Sequence, residues 1–442
     1  MSCTSVSAAI SRYASSWHSR TLTVLLRLVV GLTFVTSGFV KAIDPTGSYY
    51  KFVEYADALG LTGLLDFTLF AAFAVAAVEF VLGILMLAGA CRRGVPVLML
   101  LMMAIMLPLT LWLAQTNAVP DCGCFGDAFV LSNWATFWKN VALTAGLLYL
   151  VAFNRNVPGV YGPAVQWVVM LVSFIYAMGI AGMGYATQPL IDFRPYKVGT
   201  SLVADDSAGA SDKDFVFVYE KGGVERQFTI DSLPGDDWNY VDRRLVPGRK
   251  PQSQKPGVNA ITIYDHGTDV TSDVLDSEGQ QLLILFPDLA GINISHSFVV
   301  NELNDFAQAR GVAVAGLTSG TADEIAEWTD ISMAAYPIYD VDDSQLKMIA
   351  RGNPAVVYVD KGRIVWKRTL GSIATARLDD PEATLASLGD DLAPYDDLVG
   401  ATALLAIALL LIFFTNRTHR AVIAVVKLAK RRLKKMQKNA NR

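Results

Sequence analysis

Six apolar runs constrain what this chain can become more than any other feature. They cover residues 22–40, 65–88, 95–113, 135–152, 164–186 and 398–414. A bilayer core takes about 20 apolar residues per helix, and a segment inside it must satisfy its own backbone hydrogen bonds, so each run is read as a membrane-spanning helix. Their recurrence argues against buried helices of a soluble protein. Gly31, Gly38, Gly83 and Gly89 lie in or beside the runs and suit close helix packing, because small residues let membrane helices approach. With 442 residues, 52% of them hydrophobic, the chain is too apolar for an ordinary soluble enzyme and too long to be membrane alone. The expected fold class is a multi-domain membrane protein, an α-helical bundle joined to an α/β domain.

The net charge of −4 conceals a segregation that sets orientation. Arg12 and Arg20 precede the first span, Arg92 and Arg93 separate the second and third, and Arg155 separates the fourth and fifth. After the sixth span come Arg417, Arg420, Lys427, Lys430, Arg431 and further lysines and arginines, with no acidic residue. Six spans place all these segments on one side, which the positive-inside rule assigns to the cytoplasm. Both termini are therefore expected inside. Residues 41–63, 121–127 and 188–396 are expected outside, the last in the periplasm of a bacterium, with the bundle in its inner membrane. The first run reads as a signal anchor, with no separate cleavable signal before it. A basic tail directly after an apolar span reads as a membrane-surface anchor, and the partner expected for it is the lipid bilayer, not nucleic acid.

The expected domains are residues 1–190, a bundle of five spans; 191–259, a β-rich exported linker; 260–396, an exported α/β domain; 397–415, the sixth span; and 416–442, the basic cytoplasmic tail. Within the linker, "DFVFVYEKGGVERQFTI" reads as two strands turning at Lys221-Gly222-Gly223. From residue 260 onward, "QQLLILF" reads as a buried strand, residues 297–310 as a helix, "GVAVAGL" as a strand and residues 322–332 as a helix. "NPAVVYVDKGRIVWKR" then reads as a hairpin turning at Asp360-Lys361-Gly362.

Two of the four cysteines sit in "VPDCGCFGDAF", residues 119–129. Cys122 and Cys124 are close enough in a bent chain to bridge, and Gly123 removes the side chain that would crowd the ring. So small a ring restrains little chain, so a bond here would stabilise weakly. A strained, exposed bond exchanges readily. Three readings are open for the pair: redox exchange, a soft-metal clip, and a structural turn. A closed zinc site needs about four ligands, and none of His18, His266, His296 and His419 lies near in sequence. No metal or cofactor site is assigned. Cys3 and Cys91 fall on the cytoplasmic side and read as reduced bystanders.

Three ionisable residues join the pair as supporting candidates. Arg27 lies inside the first span and Glu79 inside the second, where charge is expensive and by default functional. Antiparallel placement puts both toward the cytoplasmic side, in reach of each other as an ion pair. Lys139, fifteen residues after Cys124, stands near the outer end of the fourth span, where it either snorkels to the interface or favours a nearby thiolate. Lys41 and Asp44 cap the first span beside the cysteine loop.

These residues resemble known families. "RLVVGLTFVTSGFVKAIDPTGSYYKF", with Glu79 in "AAVEFVLGILMLAG", is similar to the opening of DoxX-like membrane proteins. "DCGCFGD" followed by "WATFWKN" resembles the MauE branch, named for methylamine utilisation. The resemblance covers residues 20–155. Residues 260–370 resemble the peroxiredoxin and TlpA type of thioredoxin-like domain without its cysteines: "FPDLAGINISHSF" stands where a reactive pair would be, and Pro354 has the place of that fold's cis-proline. The combination is similar to DoxX-type proteins of Bacteroidetes with a degenerate thioredoxin-like extension.

What the resemblance implies is thiol–disulfide exchange that assists disulfide formation or maturation of exported proteins. Cys122 and Cys124 would be the redox pair, and an exported thiol protein or a thioredoxin the partner. The DoxX name implies a quinone as electron acceptor, although no quinone motif is present. Two rival readings differ in class. One is a non-catalytic membrane scaffold whose exported domain recruits partners; the other is a small-solute or metal transporter built around Arg27 and Glu79.

Overall fold

A computed structural model describes residues 17–203, 215–221, 224–228, 239–245, 261–391 and 393–440. Cys3 and Arg12 lie outside the described residues. The chain divides into two compact units, residues 1–194 with 371–373 and 390–442, and residues 195–370 with 374–389.

The first unit is a helical bundle. Among the described residues six helices are long and apolar enough to cross a membrane, which implies a lipid bilayer as their surroundings. The first five spans centre on α1 (Trp17–Ile43), α3 (Thr68–Leu87), α4 (Gly94–Thr116), α5 (Asn133–Phe153) and α6 (Gln166–Ala186). Between α1 and α3 runs α2 (Pro45–Ala58). Its start is dictated locally: the Asp44 side chain accepts a hydrogen bond from the Gly47 amide, and Pro45 occupies the first turn. The sixth apolar run does not end as a helix at residue 415. One continuous helix, Pro394–Ala440, carries it through the basic tail. No glycine or proline interrupts residues 401–440, and Ala, Leu, Lys and Arg are all strong helix formers.

Glycines set the distance between α1 and α3. A β-carbon at Gly38 would stand 2.3 Å from the Phe80 amide nitrogen, and one at Gly83 would stand 2.6 Å from the Val35 nitrogen. The two backbones therefore touch, as small residues allow in membranes. Ala76, Ala77 and Phe80 of α3 and Tyr176, Ala177 and Ile180 of α6 bury one half of the bundle core. Met86 of α3, Met99 of α4 and Leu147 of α5 bury another. Thr402 of the C-terminal helix joins the bundle through a 2.8 Å hydrogen bond with Tyr176.

The second unit holds two sheets. Strands β1 (Phe215–Lys221), β2 (Val224–Phe228) and β3 (Asn239–Leu245) form an antiparallel sheet in the order β2-β1-β3. Lys221 pairs with Val224, as the expected turn requires. The larger sheet is mixed and comprises β4 (Tyr264–Asp265), β5 (Thr268–Asp269), β6 (Gln280–Phe286), β7 (Ala313–Thr318), β8 (Ile338–Asp340), β9 (Ala355–Asp360) and β10 (Arg363–Thr369). Their order is β10-β9-β6-β7-β8-β4-β5. β6 and β7 are parallel and the β9–β10 hairpin is antiparallel. Helices α7 (His296–Gln308), α8 (Ala322–Ser332) and α9 (Asp343–Ile349) connect the strands. β6 and β9 are apolar on both faces, as strands with cover on both sides must be. The Asn353–Pro354 peptide, just before β9, is cis.

Candidate functional site

The loop between α4 and α5 is built to bend. Asn117 ends α4 in the left-handed region, and the Ser132 hydroxyl caps α5 by accepting from the Ala135 amide. Between them the Asp121 carboxylate accepts a 2.8 Å bond from the Gly123 amide. Gly123 adopts φ +61°, a conformation that a side chain at this position would resist. The turn brings the sulfur atoms of Cys122 and Cys124 to 3.0 Å, in hydrogen-bond contact, with both thiols free.

Both cysteine carbonyls are tied to the helices. The Tyr55 hydroxyl of α2 donates to the Cys122 oxygen at 2.6 Å. The Cys124 oxygen accepts from Ser37 Oγ at 2.6 Å and from Lys41 Nζ at 2.8 Å. Lys41 Nζ also lies 2.7 Å from Glu79 Oε2, and Ser37 Oγ stands 2.7 Å from that same oxygen, which competes with the Cys124 carbonyl for the one hydroxyl proton. Lys51 of α2 pairs with Asp121 at 3.3 Å, and Lys139 Nζ stands 4.5 Å from the centre of the Phe125 ring. A cavity of about 220 Å³ borders these groups; Phe34, Val75, Met103, Met106 and Leu109 form its apolar wall.

The pair is less open than a labile surface bond was expected to be. Cys122 is buried, with Leu113, Val119 and Tyr55 packed around it. Its sulfur is hydrogen-bonded to the Cys124 sulfur. That hydrogen bond, with Lys139 and then Lys41 nearby, lowers Cys124 to about 6 against the opposing effects of burial and the Glu79 carboxylate. The same hydrogen bond and burial push Cys122 upward. The environment thus divides two like groups into a ready thiolate and a held thiol.

Of the five candidate residues, the structure brings Cys122, Cys124, Glu79 and Lys139 to one cavity and leaves Arg27 elsewhere. The expected Arg27–Glu79 pair does not form. Arg27 donates to the Asn154 side chain and to the carbonyls of Asn154, Val157 and Pro158. The cause is register: Gly38 lies against Ala76 and Phe80, so Glu79 is level with residue 38 of α1. Arg27 is eleven residues away, about 16 Å along a helix rising 1.5 Å per residue. Lys41, one turn from Gly38, takes the place as partner. Sequence reasoning passed over Ser37 and Tyr55. Ser37 had a signal, four residues before Lys41 on the same helix face; Tyr55 had none. Cys91 is exposed and contacts Gln166. Among the described residues no group of three or more His, Cys, Asp or Glu is arranged to hold a metal ion.

Bundle and loop together define a membrane helical protein with a semi-buried dithiol at one end of its spans. Residues 19–153 match the family described as "Methylamine utilisation protein MauE", a stretch that runs from the third residue of α1 to the end of α5 and holds the cysteine pair with Lys41, Glu79 and Lys139. The match makes this segment, about a third of the 442 residues, similar to MauE-type membrane proteins. Residues 214–249 match a family described as a domain of unknown function (DUF8463). No curated protein matches the chain, and no solved structure matches it.

Proposed function

We propose that this chain is a membrane thiol–disulfide exchange protein that assists disulfide formation or maturation of exported proteins through Cys122 and Cys124. The observation that carries this reading is the pair of sulfurs 3.0 Å apart, with Cys124 lowered to about 6 beside Lys139 and Lys41. The MauE match supports it.

In the reducing direction, the Cys124 thiolate attacks one sulfur of a partner disulfide. The partner's S–S bond breaks, a mixed disulfide forms, and a partner thiolate leaves. Cys122 gives up its proton to that thiolate and attacks the Cys124 sulfur, closing the Cys122–Cys124 bond and releasing the second partner sulfur. Two electrons and one proton have passed from the pair to the partner, and the second partner sulfur leaves as a thiolate that solvent protonates. In reverse, the oxidised pair takes two electrons from an exported dithiol and leaves it bridged. The partner's potential selects the direction.

Sustained oxidation of partners needs an acceptor, and a quinone is the proposed one. It would accept two electrons and two protons. The apolar wall of Phe34, Val75, Met103, Met106 and Leu109 suits a ring, and Lys139 supplies a donor to an oxygen.

The proposed setting is a bacterial inner membrane, N-in and C-in, with residues about 188–396 periplasmic. Clustering of Arg92 and Arg155 at one end of the bundle supports this, since Arg92 donates to the Arg155 carbonyl. We read the mixed sheet as a thioredoxin-like domain without active-site cysteines that docks partners, and the bundle as DoxX-like. The anchoring of both cysteine carbonyls favours one rival, a scaffold in which the turn is structural. Trapping decides between them. With Cys122→Ser, the mixed disulfide on Cys124 cannot resolve, so a disulfide-linked exported partner should accumulate in cells. If no adduct forms and cells carrying the double Cys→Ser variant are unimpaired, the scaffold reading stands instead.

A further inference from the structure

The Lys41–Glu79 pair is an unusual way to join two membrane helices. Its side chains are 8% and 11% exposed, inside segments where charge is expensive and where apolar packing would join helices equally well. The Lys41 ammonium spends its three donors on Glu79, Ser37 and the Cys124 carbonyl. Among the described residues, that carbonyl is the only acceptor outside α1 and α3 that Lys41 or Ser37 reaches. The network is thus directed at one residue of the loop.

We infer that Lys41 and Glu79 are positioning residues that set the charge state and placement of Cys124: Lys41 favours the thiolate, Glu79 limits that effect, and Ser37 fixes both to the Cys124 carbonyl. This rests on the thiol-exchange reading and deepens it. The charges act with opposite sign on the same sulfur, so the pair works as a set-point where a lone lysine would work as a maximum. The other groups facing Cys124 are Cys122 and Asp121 of its own loop, Lys51 and Tyr55 of α2, and Lys139 of α5. The wall from α4 contributes only Met103, Met106 and Leu109. None of these is hydrogen-bonded to Lys41 or Glu79.

The test is the pH profile of Cys124 alkylation by iodoacetamide in reduced, full-length protein in lipid nanodiscs, read by mass spectrometry. Glu79→Gln keeps an acceptor for Ser37 and Lys41 but removes the opposing charge, so the midpoint should fall. Lys41→Met should raise it by about one unit, which is ~10-fold slower alkylation below the midpoint, and Lys41→Arg should return most of that shift. A purely structural role moves both variants in the same direction or moves neither, and either result overturns the inference. If Lys41→Met does not fold, Glu79→Gln decides alone, and an unchanged or raised midpoint overturns it. The two readings fail separately. Opposite shifts in a protein that never exchanges disulfides uphold the set-point and reject the exchange function.

Discussion

The Tyr55 hydroxyl donates a 2.6 Å hydrogen bond to the carbonyl oxygen of Cys122, so α2 holds the first cysteine of the loop while α1 holds the second through Lys41 and Ser37. The dithiol therefore hangs between two anchors, each a backbone contact that leaves the sulfur atoms free to react. Burial, followed by the nearby Cys122, keeps the Tyr55 phenol protonated well above its ordinary range, which preserves the donor. Tyr55→Phe retains the ring packed against Leu113 and Val119 but leaves a buried carbonyl unpaired. That should cost about 1–3 kcal/mol of loop stability. The expected readout is faster alkylation of Cys122 in the folded protein, with Cys124 much less affected.

Gly123 tests the turn itself. Its φ of +61° and a β-carbon position 3.0 Å from Lys51 Cγ both oppose a side chain. Gly123→Ala should strain the turn by about 1–2 kcal/mol and slow closure of the Cys122–Cys124 bond on oxidation by diamide. A closure rate equal to wild type would show that the turn does not need this conformation.

The two thiols should separate by pH. Cys124, lowered to about 6, should be mostly thiolate at pH 7 and alkylate readily there. Below its midpoint the rate should drop roughly tenfold per pH unit as the thiolate is protonated. Cys122, pushed upward, should remain largely unreactive across the same window. Equal rates at both cysteines would contradict this division.

Arg27 should behave as a structural residue. Arg27→Met removes donors from the carbonyls of Asn154, Val157 and Pro158. With charged hydrogen bonds contributing ~1.5–3 kcal/mol each and not additively, thermal stability should fall by at least about 3 kcal/mol. The pH profile of Cys124 alkylation should stay in place, because Arg27 is far along α1 from the loop.

The bundle was legible because membrane spans are written in long apolar runs, and the boundaries of the first five agree with α1 and α3–α6 to within a few residues. In the second unit, the strands of "QQLLILF" and the β9–β10 hairpin were legible from the same kind of pattern, whereas the short β8 and α9 carried too few residues to announce themselves. The site was legible in its cysteines, Lys139, Glu79 and Lys41 as residues, but not in the pairing of Lys41 with Glu79. Which face of α1 meets which face of α3 is decided by the close approach at Gly38 and Gly83, and hydropathy carries no such phase. Glu79 therefore seemed available to Arg27 when its partner is Lys41. Tyr55 reaches Cys122 across 67 positions of sequence, a contact that only the folded chain reveals.

The central claim is that Cys122 and Cys124 change redox state as a pair. Its most direct test is the equilibrium between dithiol and disulfide in full-length protein in nanodiscs, titrated across glutathione buffers and quenched with a mass-tagging alkylator. The account predicts one two-electron transition, with both cysteines tagged at the reducing end and neither at the oxidising end, and its loss in Cys124→Ser. A pair that keeps one state across the whole range of potentials would contradict the account.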